Sequence, residues 1–465
     1  MRSPDTSIEA HAPLLPLLAK EFREILSGRA LWVMLLLLCP LVGYSFFQAV
    51  SLYGEASAGA KDAPVLARSL SPFDGVLVPS FGAFYVAVTL LFPFVAIRAL
   101  GQEKESGALR LLVQLPYRSP VLIGAKLAAV LAAWALCSIP ALSALVVWRV
   151  LGGHLGVAET SNLIFGHLLY GLLVGAIALF AAAIAEGAAT AAIVALAVTI
   201  GSWVLDFTLA GHPGILAWIS LLSLTQTLRV FEQGLFSAGL VLGIVAAIAG
   251  FAALAAVWLP PGVTLRAKLV RSLACVAVTA AVLGAAGQVR LATDVTDDRR
   301  NSFPAADERA LASLTNPLTV TIHLAPEDPR YVDVQRAVFS KLARVVPDLT
   351  IRLAGAHSFA SSAGDERYGE IEYEYGTRRD VSRSTSPREI LPLIYGLAEM
   401  PLPSPVAGED YPGYPLVANA YAALPWFFGA LPVLIVLAWF VSRRPPRIDR
   451  SLITQATKEN IHATQ

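Results

Sequence analysis

Charge is scarce in this chain. Lys, Arg, Asp and Glu together make up 15% of its 465 residues, against 56% hydrophobic ones. With a mean hydropathy of +0.62, that balance excludes an ordinary soluble globule and fits a polytopic membrane protein. Cysteine is nearly absent as well. Cys39, Cys137 and Cys275 each fall inside an apolar run, where they read as small packing residues and not as a disulfide framework or a metal site. Several motifs are missing altogether. No G-x-x-x-x-G-K-[ST] occurs to cradle phosphates, and no H-E-x-x-H, paired C-x-x-C or G-x-S-x-G is found. The net charge is +1 and no basic stripe lies in an aqueous segment, so nucleic acid is not an expected partner.

What the chain does have is hydrophobic length. A helix needs about 20 mainly apolar residues to cross a bilayer core of about 30 Å. Eight runs qualify: 30–52, 76–97, 121–151, 163–185, 188–209, 235–259, 269–289 and 417–441. The first is too long, and preceded by too much mixed charge, for a cleaved signal peptide. Pro40, Pro93 and Pro140 lie within spans as ordinary features of such helices or as kinks. Arg149, Glu186 and Asp206 sit near span ends, where side chains snorkel to water. Lys and Arg collect on one side of these runs: Lys20, Arg23, Arg29, the segment from Arg98 to Lys126, Arg266, Lys268, Arg271, and Arg443, Arg444, Arg447 and Arg450. By the positive-inside rule both termini are cytosolic, and residues 290–416 lie outside.

The expected fold class is therefore an α-helical polytopic membrane protein of about eight transmembrane helices, with a small α/β extracytoplasmic domain between helices seven and eight. Residues 1–29 form a cytosolic N-terminus whose stretch 14–27 patterns as an interfacial helix, with Leu15, Leu18, Phe22 and Ile25 or Leu26 opposite Lys20, Glu21, Arg23 and Glu24. Residues 30–259 form a six-helix block ended by Pro260-Pro261-Gly262, after which 260–289 (linker and seventh helix) opens a separate unit. Within the block, Glu186-Gly187 is a tight turn, and the semi-apolar outer segment 210–234 packs as short helices. Residues 290–416 hold the α/β domain, 417–441 the eighth helix and 442–465 a cytosolic tail.

In the domain, 318–324 and 349–353 read as strands around a helix at 329–346, a βαβ unit with a parallel pair. His357–Gly364 reads as a loop, Glu370–Tyr375 as a half-exposed strand, and Pro387–Glu399 as a helix. Asp294, Asp297 and Asp298 lack the glycine and distal glutamate of a calcium loop, so a capping and turn cluster is expected. His323, Tyr373 and Tyr375 read as packing residues.

The most informative stretch runs from Arg98 to Lys126. It patterns as a short amphipathic helix between two spans, with Leu109, Leu112 and Leu115 on one face and Glu103, Lys104, Glu105 and Arg110 in water, broken by Pro116 and Pro120. Glu103-Lys104-Glu105-Ser106-Gly107, Leu111-Leu112, Pro116 and Gly124-Ala125-Lys126 resemble the coupling region of ABC-2-type transporter permeases, of the gliding-motility and multicopper-enzyme-maturation kind. Ser-Gly-Ala stands where Ser/Thr-Gly-Thr is commoner in that family. The resemblance covers about residues 14–259. Asp294-Val-Thr296, Asn301-Ser302-Phe303-Pro304, Leu311–Leu314, Pro317–Leu324 and Tyr368-Gly369-Glu370-Ile371 resemble a shortened gliding-motility-type auxiliary domain.

The resemblance implies an export permease in the bacterial cytoplasmic (inner) membrane, driven by a separate ABC ATPase subunit that holds the ATP and magnesium. This chain itself would carry no cofactor, metal or catalytic site. Glu103, Lys104, Glu105, Gly107, Arg110, Leu112, Pro116 and Lys126 are the implied ATPase-coupling residues. A second permease copy and membrane lipid are the other implied partners, and the substrate stays open. The alternatives are a permease serving metalloenzyme maturation and a non-transporting scaffold of an envelope or motility complex. A membrane enzyme would need His, Asp and Glu clustered at membrane depth, which the spans lack.

Overall fold

The computed structural model describes residues 14–60, 63–209, 223–289, 291–325, 328–354, 367–404 and 411–443. The expectations for segment 210–222, the His357–Gly364 loop and the basic tail beyond Arg443 lie outside them. Eight helices are long and apolar enough to cross a membrane, as the runs predict. Every backbone polar group inside a bilayer must be satisfied within the protein, and continuous helices do this.

An amphipathic helix α1 (Leu14–Ser27) turns at Gly28 into the first span, α2 (Arg29–Gly59). The second span, α3 (Phe73–Ser106), leads through the one-turn helix α4 (Ala108–Leu112) to α5 (Ser119–Val150), then α6 (Val157–Ile184) and α7 (Ala188–Leu209). Glu186-Gly187 forms the expected tight bend between α6 and α7. Two of the three span prolines mark breaks: α3 restarts at Phe92-Pro93, and α5 at Ile139-Pro140 after Ser138. Proline cannot donate the helix hydrogen bond, but it is harmless in a first turn. Pro40 stays inside an unbroken helix. A short helix α8 (Leu224–Glu232) precedes strand β1 (Leu235–Ser237), which occupies what reads as the start of the sixth span. That span is α9 (Ala238–Trp258), and α10 (Leu265–Ala286) packs beside it as the seventh.

Strand β2 (Ala292–Asp294) pairs antiparallel with β1, so the α/β domain begins by adding a strand to the membrane block. Helix α11 (Ala305–Ala312) follows, then β3 (Leu318–Ile322), a helical crossover α12 over residues 329–345, and β4 (Leu349–Leu353) parallel to β3. This is the predicted βαβ unit. Strand β5 (Ile371–Tyr375) runs antiparallel on the other side of β3, with Ile371, Tyr373 and Tyr375 buried as the alternation predicts. The sheet order is β4-β3-β5-β6, and its edge strand β6 (Arg378–Ser382) has no apolar alternation to announce it. Gly376, at φ +63°, supplies the left-handed turn of the β5–β6 hairpin. Helix α13 (Pro387–Leu397) closes the small core with Ile390 and Ile394.

The eighth span, α14 (Ala420–Ser442), does not form a separate unit with α10. Its Phe427, Leu431 and Ile435 join the same hydrophobic core as α2. Gly43 of α2 makes room for it: a Cβ there would run into the Phe427 ring. Ser442 reaches the Leu26 carbonyl, so the end of α14 returns to the side of α1.

Candidate functional site

Helix α1 packs against α3 and α5 and turns Leu17, Glu21 and Ile25 inward. These positions recur every four residues, so the buried stripe carries one carboxylate among its aliphatics. The expected apolar face is off by part of a turn, since Leu15 is 80% exposed. The reason is electrostatic. Lys126, seven residues into the apolar α5, and Glu103, near the end of α3, face the same point as Glu21, and all three side chains are at most 2% exposed.

The Lys126 ammonium is surrounded by acceptors and counter-charges. Lys126 Nζ lies 3.1 and 3.0 Å from the two Glu21 oxygens and 2.7 Å from Glu103 Oε2, and donates to the Ala99 carbonyl at 2.6 Å. Glu21 and the Ala99 carbonyl accept its hydrogen bonds, while Glu103 Oε2 meets it as an ion pair and accepts no hydrogen bond. Lys20 adds a second cation, paired with Glu103, with Glu21 at 3.1 Å and with Glu24 at 3.1 Å. Burial pushes the Glu21 carboxyl up, helped by Glu103 and opposed by Lys126. Burial pulls Lys20 down, but its contacts with Glu103 and Glu21 outweigh this and hold the ammonium above its usual range. Oxygens of Glu21, Glu24 and Glu103 lie within 4.8 Å of one another, the donor set of a hard cation. Lys20 and Lys126 already stand among them in the cation's place.

Two expectations are therefore corrected. Glu103 does not stay in water; it is buried in the cluster. Lys104 is half-buried, and its Nζ donates to the carbonyls of Ala182, Ala183 and Ala185 at 2.6, 2.8 and 2.9 Å. It thus caps the end of α6, where unpaired carbonyls and the helix dipole favour a cation. Glu105 and Arg110 are exposed as expected, with no ion pair found for either among the described residues. Gly107 ends α3 at φ +76° with its N–H on the Lys104 carbonyl. That left-handed conformation is what turns α4 away from the span. Leu109 and Leu112 are half-buried, Pro116 is exposed, and the outward apolar residues are Leu111 at 68% and Leu115 at 47% exposure.

At the opposite end of α3 the α/β domain is pinned to the membrane block. Arg300 pairs with Asp74 at the start of α3 and with Asp298 at 2.9 Å, and donates to Ser71 at 2.7 Å. Burial pushes the Asp298 carboxyl up and lowers the Arg300 guanidinium to about 10. Asp294 accepts from Thr296 and Asn301, and His154 meets Asp297 at 2.9 Å. The aspartates are thus a turn and capping cluster, as expected, and also a joint. The chain returning from the domain to α14 is held too, with Tyr414 stacked on His154 at 3.6 Å between ring centres. His323 is nearly buried, 4.0 Å from Glu372.

A third feature is a cavity of about 1350 Å³ between α6, α7, α9 and α10, lined by residues such as Ile177, Leu205, Ile244, Phe251 and Leu283. Ser202, Thr227 and Thr279 supply its few polar groups, and among the described residues no titratable side chain lines it. Sequence reasoning missed it, because each lining residue reads as one more apolar position of a span.

The family described as ABC-2 family transporter protein matches residues 15–229, which run from α1 through α8. No curated protein matches the chain. The family match supports a permease component of an ABC transporter, and such permeases generally work with an ABC ATPase partner.

Proposed function

We propose that this chain is the membrane permease of an ABC-type exporter in a bacterial cytoplasmic membrane. A separate ATPase docks on the exposed face of residues 105–118. The observation that carries the reading is the pairing of an exposed linker with a buried anchor. Glu105, Arg110, Leu111 and Leu115 face outward, while a few residues away Glu103 and Lys126 are locked to α1 inside the protein. A force applied to that linker reaches α1, α3 and α5 together, because one four-charge cluster joins all three.

The charge asymmetry of the sequence puts this face in the cytosol and the α/β domain outside. ATP and magnesium belong to the ATPase, and an ATPase dimer with two docking faces calls for two permease copies. Cargo with substantial apolar surface suits the cavity between α6 and α10.

The surface to test is Arg110 with Leu111, because reversing Glu103 would break the buried cluster instead. Arg110→Glu with Leu111→Asp should abolish co-purification of the ATPase while the permease still inserts and purifies normally. Unchanged ATPase binding in that variant removes the docking assignment. Intact binding with an ATPase rate indifferent to the permease favours the scaffold reading.

A further inference from the structure

Helix α10 is the least covered of the eight spans, with 6% of its apolar window buried. Its first two turns carry Arg266, Lys268 and Arg271. Lys268 is engaged, donating to the Trp258 carbonyl at 3.1 Å and lying over the Trp258 ring. The two arginines are exposed, and no carboxylate pairs with either among the described residues. Between them lies a hollow of about 320 Å³, completed by Thr264, Ala267 and Val270. Arg271 also forms the rim of a second, apolar groove of about 570 Å³ whose walls come from α5 (Ile123, Gly124), α9 (Ala252, Ala253) and α10 (Cys275).

We propose that this place binds a phospholipid with an anionic headgroup. The phosphate lies between Arg266 and Arg271, and one acyl chain fills the groove between α5, α9 and α10. Arg271 sits five residues beyond Arg266, about 7.5 Å further along the helix, where hydrocarbon meets headgroups. A guanidinium without a counter-ion is costly at that depth, and a phosphate ester answers it with two parallel hydrogen bonds. The same geometry discriminates between lipids. A zwitterionic headgroup would bring an ammonium into a site that holds two guanidinium groups and no carboxylate. The groove walls are preformed, because Trp258 Nε1 donates to Ser272 Oγ at 3.0 Å and ties the end of α9 to the start of α10. This inference requires the membrane fold but neither the ATPase nor the orientation, so it stands or falls apart from the proposed function.

The test uses the full chain, without ATPase, in nanodiscs of equal phosphatidylglycerol and phosphatidylethanolamine, followed by delipidation and native mass spectrometry. Phosphatidylglycerol should be retained in preference to phosphatidylethanolamine. Arg271→Gln should cut that retention about fivefold, since a basic residue near the surface contributes about 1 kcal/mol toward anionic lipid. Ala253→Phe, which fills the groove, should lower it as well, and Arg149→Gln at the far end of α5 should not. Equal retention of both lipids, an Arg271→Gln value matching the parent, or displacement by millimolar inorganic phosphate overturns the proposal. Cys275 provides a check on the occupant, since Cys39 and Cys137 are buried. Labelling of Cys275 by a membrane-permeable thiol reagent should slow when phosphatidylglycerol is present. A disulfide between the Cys275 residues of two copies would instead identify a second copy as the occupant and overturn the lipid assignment.

Discussion

Truncating Lys126 to alanine removes the centre of the buried cluster. Its Nζ is shared by Glu21 at 3.0 Å, Glu103 at 2.7 Å and the Ala99 carbonyl at 2.6 Å, and the side chain is 1% exposed. Without it two buried carboxylates must share Lys20, which is itself one-third exposed. Breaking a buried pair by removing one partner costs about 3–5 kcal/mol, because a charge is left without compensation in a poorly solvated place. Lys126→Ala should therefore lose stability in that range, read as equilibrium unfolding in mixed detergent micelles. Replacing both members of the pair tests the cause. Lys126→Met with Glu103→Gln keeps Lys20 opposite Glu21 and leaves no uncompensated charge, so it should recover most of the loss. A loss below about 1 kcal/mol for Lys126→Ala, the size typical of an exposed pair, would refute the reasoning. So would a double variant as unstable as the sum of its singles.

Three further outcomes follow from the same geometry. Gly107→Val forces a branched side chain into the left-handed region, at about 1–2 kcal/mol, and should re-aim α4; ATPase binding should fall while Gly107→Asn retains more of it. Lys104→Met leaves the last carbonyls of α6 without their ammonium and should cost roughly 1–3 kcal/mol, measured in the same unfolding assay. In the α/β domain, Asp328 is held at about 2, chiefly by hydrogen bonds from Arg330, with Tyr368 adding another. A carboxyl lowered on folding stabilises above its unfolded value of 3.8 and loses that contribution as pH falls through about 2. The effect is at most about 2 kcal/mol, because Arg330 is half exposed and screened by salt. Acid titration of the domain's unfolding should show a stability drop between about pH 4 and 2 that Asp328→Asn abolishes.

The spans were legible because each is a long apolar run, and the strands of the βαβ unit because β-branched residues alternate or cluster there. Strand β6 was not legible. Arg378-Arg379-Asp380 lies exposed at a sheet edge, where no core imposes a pattern. The same logic explains the site. Arg110 and Glu105 could be read as exposed, since nothing nearby demands otherwise. Glu103 looked equally wet, and only the tertiary arrangement shows that it meets Lys126 and α1. Two clues pointed inward: Glu21 holds the middle place of the Leu17–Ile25 stripe, and Lys126 lies well inside an apolar run. The cavity between α6 and α10 left no trace in the sequence, because it is made by spacing between helices and not by residue type.

Helix α3 has a role at both of its ends. Asp74 in its first turn holds Arg300 of the α/β domain, and Glu103 in its last turn holds Lys20 and Lys126. At 34 residues it spans about 50 Å, with one interruption at Leu91-Pro93. The two aqueous faces of the protein thus share a single structural member with one articulation in its middle. Substitutions at Asp74 and Glu103, far beyond the separation at which effects ordinarily add, cannot be assumed independent. Their combination, with and without a stiffened Pro93→Ala articulation, is the natural measure of how much one face senses of the other.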